Sequence, residues 1–309
     1  MASIPQTFII EDSSIIPAPN MDTILPTAIV LIKSIALGSI ASSLAIVYSE
    51  ILYSGLKALY SYGKLSRYYP LPTNRHVFTA WSNAMAFTCP VALFAITYQR
   101  DMQRTWSFSP IAVLAYTFLY MAIHDVYFYM IHSTFHFKRI LYNHFHAMHH
   151  EYVYAMNVYC VGYAEVAENF LQVGVPWVIW TWIAGSNWFN WILPLSLVLF
   201  TTLVGHSGYR MSPLIAIFHP LVLPVVALTG RHMLTPGDHQ VHHTHRRYNY
   251  GLFWRGMDKH FGTYRKCEVK AYDVTFWRKW HDAQQADSEE GKKWLGRHNT
   301  EFSEVEWGF

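Results

Sequence analysis

Charge is what this sequence has least of. Asp, Glu, Lys and Arg make up only 14% of its 309 residues, little more than half the roughly 25% of an ordinary soluble domain. A chain of which 52% is hydrophobic is not a disordered, self-repelling one, and a net formal charge of +3 does not make a basic nucleic-acid-binding surface. Cysteine is nearly as scarce. Cys89, Cys160 and Cys267 stand far apart with no CxxC pair, which excludes a disulfide framework, an Fe–S site and a zinc ribbon. Cys89 sits in an apolar segment and is expected to pack there. A Gly-rich dinucleotide fingerprint and a haem motif are missing as well. So is the HExxH of a zinc protease, because His150-Glu151 is followed at the required spacing by Tyr154.

The missing charges are missing in blocks. None falls within 34–49, 76–99, 105–124, 169–209 or 211–230. A bilayer core takes ~20 apolar helical residues to cross, and most of these windows are long enough. As one helix, the fourth would run roughly 60 Å, twice a bilayer. Ala184-Gly185-Ser186-Asn187 near its middle predicts a break and a tight hairpin. Lys33 can snorkel, which extends the first span back to about Pro26. The expected spans are therefore about 26–49, 77–97, 107–124, 169–184 and 188–205, within a membrane domain of residues 26–264. Residues 211–230 hold His219, Pro220 and Pro224, which weaken a straight span, and are expected to be re-entrant or interfacial.

Residues 1–25 carry Glu11, Asp12 and Asp22 but no Lys or Arg, so they do not read as a cleavable signal, and a signal-anchor helix fits better. Residues 265–309 change character: 17 of these 45 are charged, interleaved with Trp277, Trp280, Trp294 and Trp307, as in an amphipathic tail at the interface. Lys57, Lys64, Arg67 and Arg75 follow the first span, and 13 of the 23 basic residues lie from Arg231 onward. That asymmetry predicts a cytosolic 50–75 segment and C-terminal region, with residues 1–25 lumenal.

What is abundant is histidine. Of 18, fourteen lie between His124 and His245. Three clusters stand out: His132-Ser-Thr-Phe-His136, His146-Ala-Met-His149-His150 and His239-Gln-Val-His242-His243. On a helix, positions three or four apart share a face, so each cluster aims imidazoles at a common point. The adjacent pair adds a ligand ~100° round the helix, which suits a second metal beside the first. Imidazoles of this borderline softness match iron, zinc or copper rather than magnesium or calcium. Clusters that build one site must share a membrane face, which is why 211–230 is not expected to cross. The fold class expected is an all-α membrane protein of about four transmembrane helices, with a cytosolic helical cap holding a histidine-rich dimetal site.

The residues around these clusters resemble a known family. Asp125-Val-Tyr-Phe128-Tyr129-Met-Ile-His132-Ser-Thr-Phe-His136 looks like the opening D-x-x-F-Y-x-x-H-R-x-x-H box of the fatty acid hydroxylase/sterol desaturase superfamily. Leu141-Tyr142 with His146-Ala-Met-His149-His150-Glu151 is similar to its second box. Thr235-Pro236-Gly-Asp238-His239-Gln-Val-His242-His243, then Asn249-Tyr-Gly251, Asp258 and Phe261-Gly262-Thr263, resembles its third box and the run that closes it. The likeness covers about 110–265 and looks nearest to the C5-sterol desaturase and alkylglycerol monooxygenase branches. It implies a multi-pass endoplasmic-reticulum enzyme with a cytosol-facing di-iron centre that uses O₂ to hydroxylate or desaturate a lipid. It also implies a separate electron donor, cytochrome b5 with an NAD(P)H-dependent reductase. The ligands carried over are His132, His136, His146, His149, His150, His239, His242 and His243, with His206 of Gly205-His206-Ser-Gly208 added.

Three positions depart from that pattern. Ser133 replaces the usual Arg, Glu165 of Glu165-Val-Ala-Glu168 replaces a histidine, and Arg210 stands where some members have another histidine. Behind an all-imidazole ligand set, carboxylates are expected to orient the ring N–H groups, and Asp125, Glu165, Asp238 and Asp258 are the candidates. His124, His144, His219 and His245 are expected to lie outside the ligand set. A histidine-rich metal transporter or metal-binding membrane protein is the alternative, although its ligands belong at mid-span rather than at span ends. A non-catalytic member of the superfamily is the other.

Overall fold

The computed structural model describes residues 21–68, 74–98, 105–153, 156–185 and 187–267, with side chains from residue 26 onward. The expected N-terminal tail, apart from the start of the first helix, and the expected amphipathic tail beyond Cys267 lie outside the described residues. Within them the chain is helical, with three isolated bridges and no strand. In order come α1 (Met21–Ser61), α2 (Val77–Tyr98), α3 (Pro110–Phe137), α4 (Arg139–Leu141), α5 (Val166–Asn169), α6 (Val175–Ile183), α7 (Trp188–Gly205), α8 (Val222–Thr229), α9 (Pro236–Thr244) and α10 (Gly256–His260).

Four of these are long and apolar enough to cross a membrane: Pro26–Ser61 in α1, Val77–Thr97 in α2, and the whole of α3 and α7. Their outer faces carry exposed Ile32, Leu44, Phe78 and Ile111. Apolar surface on this scale is tolerated by lipid and not by water.

Two spans outrun the charge-free windows that announced them. α1 continues past Ser49, since glutamate is a good helix former, and Glu50 within it pairs with Arg75 at 2.9 Å. α3 starts at the Ser109 cap, whose hydroxyl accepts from the Ala112 amide, and runs through Asp125. That buried carboxylate is satisfied by the backbone N–H groups of Leu252, Phe253 and Trp254 at 2.7–3.3 Å. Charge therefore marks the end of an apolar window, not the end of a helix. The first histidine box rides on the end of the third span.

The expected 169–184 span is interrupted. α5, a π turn at Phe170–Gly174 and α6 form one continuous rod. The wider turn frees carbonyl groups, and Tyr127 and His124 of α3 donate to Leu171 O and Gln172 O, both at 2.9 Å. The rod reverses at Gly185, which needs its positive φ of 64° there. Asn187 then caps α7 by accepting from the Phe189 and Asn190 amides. The turn is pinned to the start of α3: Trp188 N–H donates to Thr105 O at 3.0 Å, and Trp106 stacks on Trp188. α3 and α7 thus leave one end together and deliver His132, His136 and His206 at the other. Between them lies a core of Tyr120, Trp180, Phe200 and Leu203, each no more than 1% exposed. Residues 213–232 fold as two 3₁₀ turns flanking the eight-residue α8, none long enough to cross alone.

A buried arginine fastens the loop after His206. Arg67, 1% exposed, donates to Ser207 O at 2.9 Å and Met156 O at 2.7 Å and lies 4.1 Å over the Tyr209 ring. Gly208, at φ 70°, has no room for a side chain, since a Cβ would lie 2.8 Å from the guanidinium. Arg67→Met is expected to leave two buried carbonyls unpaired and cost about 2–5 kcal/mol. A lower thermal midpoint in detergent is the measurement, and an unchanged midpoint would remove Arg67 from this role.

Candidate metal centre

Nine histidines converge where α3, the 142–151 turns, the end of α7 and α9 meet. They form two groups. His132, His136, His146, His150 and His242 make one, and His149, His206, His239 and His243 the other, with the ligand atoms of each within 4.8 Å of one another. The nine are the residues singled out in the sequence. The spacing rule is visible in the partition, because each i, i+4 pair (132/136, 146/150, 239/243) stays in one group. The odd member of each triplet crosses over, His149 to the four and His242 to the five. The second box is not the simple helix its spacing suggested. A π turn at Tyr142–His146 and a 3₁₀ turn at His149–Glu151 replace it, and inserted π turns are frequent at functional sites. The groups are neighbours: the His150 and His243 rings lie 4.7 Å apart.

The donor atoms are set for a cation. A carbonyl oxygen can only accept, so Nδ1–H donates from His132 to Tyr250 O, from His206 to Thr202 O and from His242 to Tyr248 O, at 2.8–2.9 Å. His146 Nδ1 is held by Glu168 Oε1 at 2.6 Å, both side chains buried. Each Nε2 is then a bare lone pair. Yet Nε2 of His146 lies 3.0 Å from those of His132 and His150, and Nε2 of His206 lies 2.8 Å from that of His239 and 3.2 Å from that of His149. Buried His242 Nε2 has no hydrogen-bond partner. In the His132–His146 pair, where both Nδ1 atoms are held by acceptors, the lone pairs facing at this distance repel unless a cation lies between them. Imidazoles bound at ~2.1 Å and ~90° to each other have nitrogens roughly 3 Å apart, which is the spacing seen. The residues fit two metal ions.

Burial prepares the same state. It pushes the His146 imidazole down to about 3, with nearby Arg246 adding to the effect, and His149 down to about 4. His150, His239, His242 and His243 are held well below the usual range, first by burial and then by one another. Burial and mutual repulsion thus favour the neutral form that metal ligands must have.

None of the four expected orienting carboxylates hydrogen-bonds a histidine, and Asp258 accepts from the Tyr250 and Gly251 amides and from Thr263. Asp125, seven residues before His132, is ~10 Å away along the helix axis and ties down 252–254 instead. Glu165 is exposed. Asp238 closes the capping box of α9 with Thr235 and pairs with Arg255 at 2.7 Å. Glu168, one helical turn after Glu165, takes the place assigned to them. Its signal in the sequence was its position, a carboxylate bordering the longest apolar window. Of the other histidines, His124 serves the π turn, His219 meets Ser196 Oγ at 2.9 Å and His144 is exposed and turned to Ile140 O.

Sequence reasoning also missed the orienting carbonyls. Tyr248 O and Tyr250 O flank Asn249, whose φ of 58° lets both face the five-histidine group. The Asn249 amide group donates to Asp238 O and Arg265 O, and Asp258 accepts from the Tyr250 and Gly251 amides. The Asn-x-Gly…Asp run is therefore a brace for two imidazoles. Asn249→Val adds a left-handed backbone penalty of ~1–2 kcal/mol that Asn249→Gly escapes. The valine variant should bind metal more weakly than the glycine variant, and equal loss in both would show that only the side-chain bonds matter.

Residues 117–263 match the fatty acid hydroxylase family model. Among curated proteins, Protein CER1-like 2 of Arabidopsis thaliana is 28% identical over 151 residues, which is 48% of this chain and 23% of that protein. The chain thus matches less than a quarter of the length of that relative. No solved structure matches.

Proposed function

Because residues 117–263 match the fatty acid hydroxylase family model, we propose that the chain is a member of the fatty acid hydroxylase/sterol desaturase superfamily and a membrane-bound di-iron oxidase. It hydroxylates or desaturates an unactivated C–H bond of a lipid or lipophilic metabolite with O₂. The observation that carries this reading is the pair of buried all-imidazole groups, of five and four, standing side by side at the ends of the apolar helices. Bound there, two irons supply the oxygen activation and hydrogen abstraction that no protein side chain performs. The nine histidines hold them. Glu168 and the carbonyls of Thr202, Tyr248 and Tyr250 fix ring orientation and raise ligand basicity. The surrounding burial keeps water away from the reacting carbon.

With no haem, flavin or Fe–S motif in the sequence, electrons come from a separate donor, cytochrome b5 and its NAD(P)H-dependent reductase in this proposal. In this proposal the site faces the cytosol from the endoplasmic-reticulum membrane, and the basic residues near it, among them Arg246, Arg247 and Lys259, support the cytosolic side. Co-expression with a cytochrome b5 reductase system should give O₂-dependent lipid products that have gained one oxygen or lost two hydrogens. Labile metal with transmembrane flux and no oxidised lipid would favour the transporter instead.

A further inference from the structure

Beside the four-histidine group, between α7 and α8, lies a narrow cavity that the metal centre does not use. It ends on His206 and His239, and Phe200, Val204, Val225 and Val226 form its walls. Met211 lines it while 42% exposed, and so marks its mouth. Ile217 in the turn before α8 and Leu223 and Leu228 of α8, the helix that supplies the Val225–Val226 wall, are exposed apolar side chains, so that wall faces a lipid-like environment.

The polar side chains lining this cavity are already engaged. Thr201 Oγ1 donates to Leu197 O and Thr202 Oγ1 to Val198 O. Thr235 Oγ1 bonds Asp238, and the Asn249 side chain is shared among Asp238 O, Arg265 O and the Arg265 amide. Beyond the metal-facing nitrogens of the two histidines, only His239 Nδ1 among the lining side chains has no hydrogen-bond partner. A hydroxyl or carboxylate entering here would lose its water and find at most that one donor, so that much of a desolvation penalty of about 2–7 kcal/mol would remain. The cavity holds about 50 Å³, space for a few waters or for the tip of one hydrocarbon chain, not for a fused ring system.

Gly205 sets its depth. It lines the cavity at the last turn of α7, immediately before His206, and a Cβ built on it meets no atom within 4 Å. Its φ is not positive, so no backbone constraint demands glycine, and in a helix alanine would be favoured by roughly 0.5–1 kcal/mol. Glycine here keeps a space open. Gly251 in the same lining differs, since its Cβ would strike Trp254 O at 2.8 Å.

We infer that the α7–α8 cavity admits an unfunctionalised hydrocarbon chain from the membrane to the four-histidine group, and that Gly205 is the residue that lets the chain reach it. The inference rests on the oxidase reading only for what happens at the chain tip; binding of the chain is separate.

The test uses the whole chain in phosphatidylcholine nanodiscs and hexadecane bearing a terminal diazirine. Photolysis should label peptides of the cavity wall, including Met211 or Val226, above the lipid-facing peptide of α2. Gly205→Phe should lower that ratio at least about tenfold, as filling an apolar pocket does, with bound metal unchanged. If that variant does not fold, Gly205→Ala combined with Val226→Phe closes the cavity from both walls. Unlabelled hexadecane and hexadecanol should both compete, the better competitor identifying the head group outside the mouth, and cholesterol should not. Equal labelling in the closed variants, or competition by cholesterol as strong as by hexadecane, would overturn the inference. Absence of metal or of oxidised product would sink the oxidase reading while leaving the labelling result standing.

Discussion

Replacing His146 by alanine is expected to take product formation below detection, a loss of at least ~10³-fold, because ligands of one centre act as a unit. His146 is central to its group. Its Nε2 lies 3.0 Å from those of His132 and His150, and its ring is packed against His136 as well. Its backbone belongs to a π turn whose bonds do not involve the side chain, so the helices should survive. Bound metal should fall from two ions per chain to one or none, with the circular dichroism of the helices unchanged. Full activity in this variant would remove the five-histidine group from the chemistry.

Glu168→Ala is expected to weaken metal binding or turnover about 10–100-fold, the usual effect of removing a carboxylate that orients a ligating imidazole. The carboxylate is 2% exposed and contacts His146 Nδ1 at 2.6 Å. Glu168→Gln keeps an oxygen that can accept from Nδ1–H and so preserves the tautomer, but removes the charge; it should fall between the alanine variant and the native protein. Competition with a chelator reads the metal affinity apart from turnover. Exposed Glu165, three residues away, serves as the control, and Glu165→Gln should change nothing. Equal effects at 165 and 168 would show that the contact in the structure does not govern the site.

The contrast between these two glutamates shows where the sequence was legible. Helical spacing brought out eight of the nine histidines, because i, i+4 pairs share a face wherever the backbone stays near helical, and the π turn at 142–146 did not spoil it; His206 came only from the family resemblance. Charge-free windows located the apolar helices for a similar reason, since lipid forbids unpaired charge. Their ends were less legible. Glu50 and Asp125 looked like stops, yet each is neutralised by a partner distant in sequence, Arg75 for one and the 252–254 amides for the other. The ring-orienting groups were least visible of all. Three of them are main-chain carbonyls, which every residue possesses, and only the positive φ of Asn249 shows why Tyr248 and Tyr250 supply two of them. Gly205 was hidden in the same way. A small residue beside a histidine has no meaning until the empty space beside it is seen.

The central claim is that nine imidazoles hold two metal ions side by side, and the metal-to-protein ratio of the purified chain tests it most directly. The account predicts two tightly bound irons per chain, falling to none when His146→Ala and His239→Ala are combined. A chain that binds no metal tightly, or that keeps both ions after losing a ligand from each group, would contradict it.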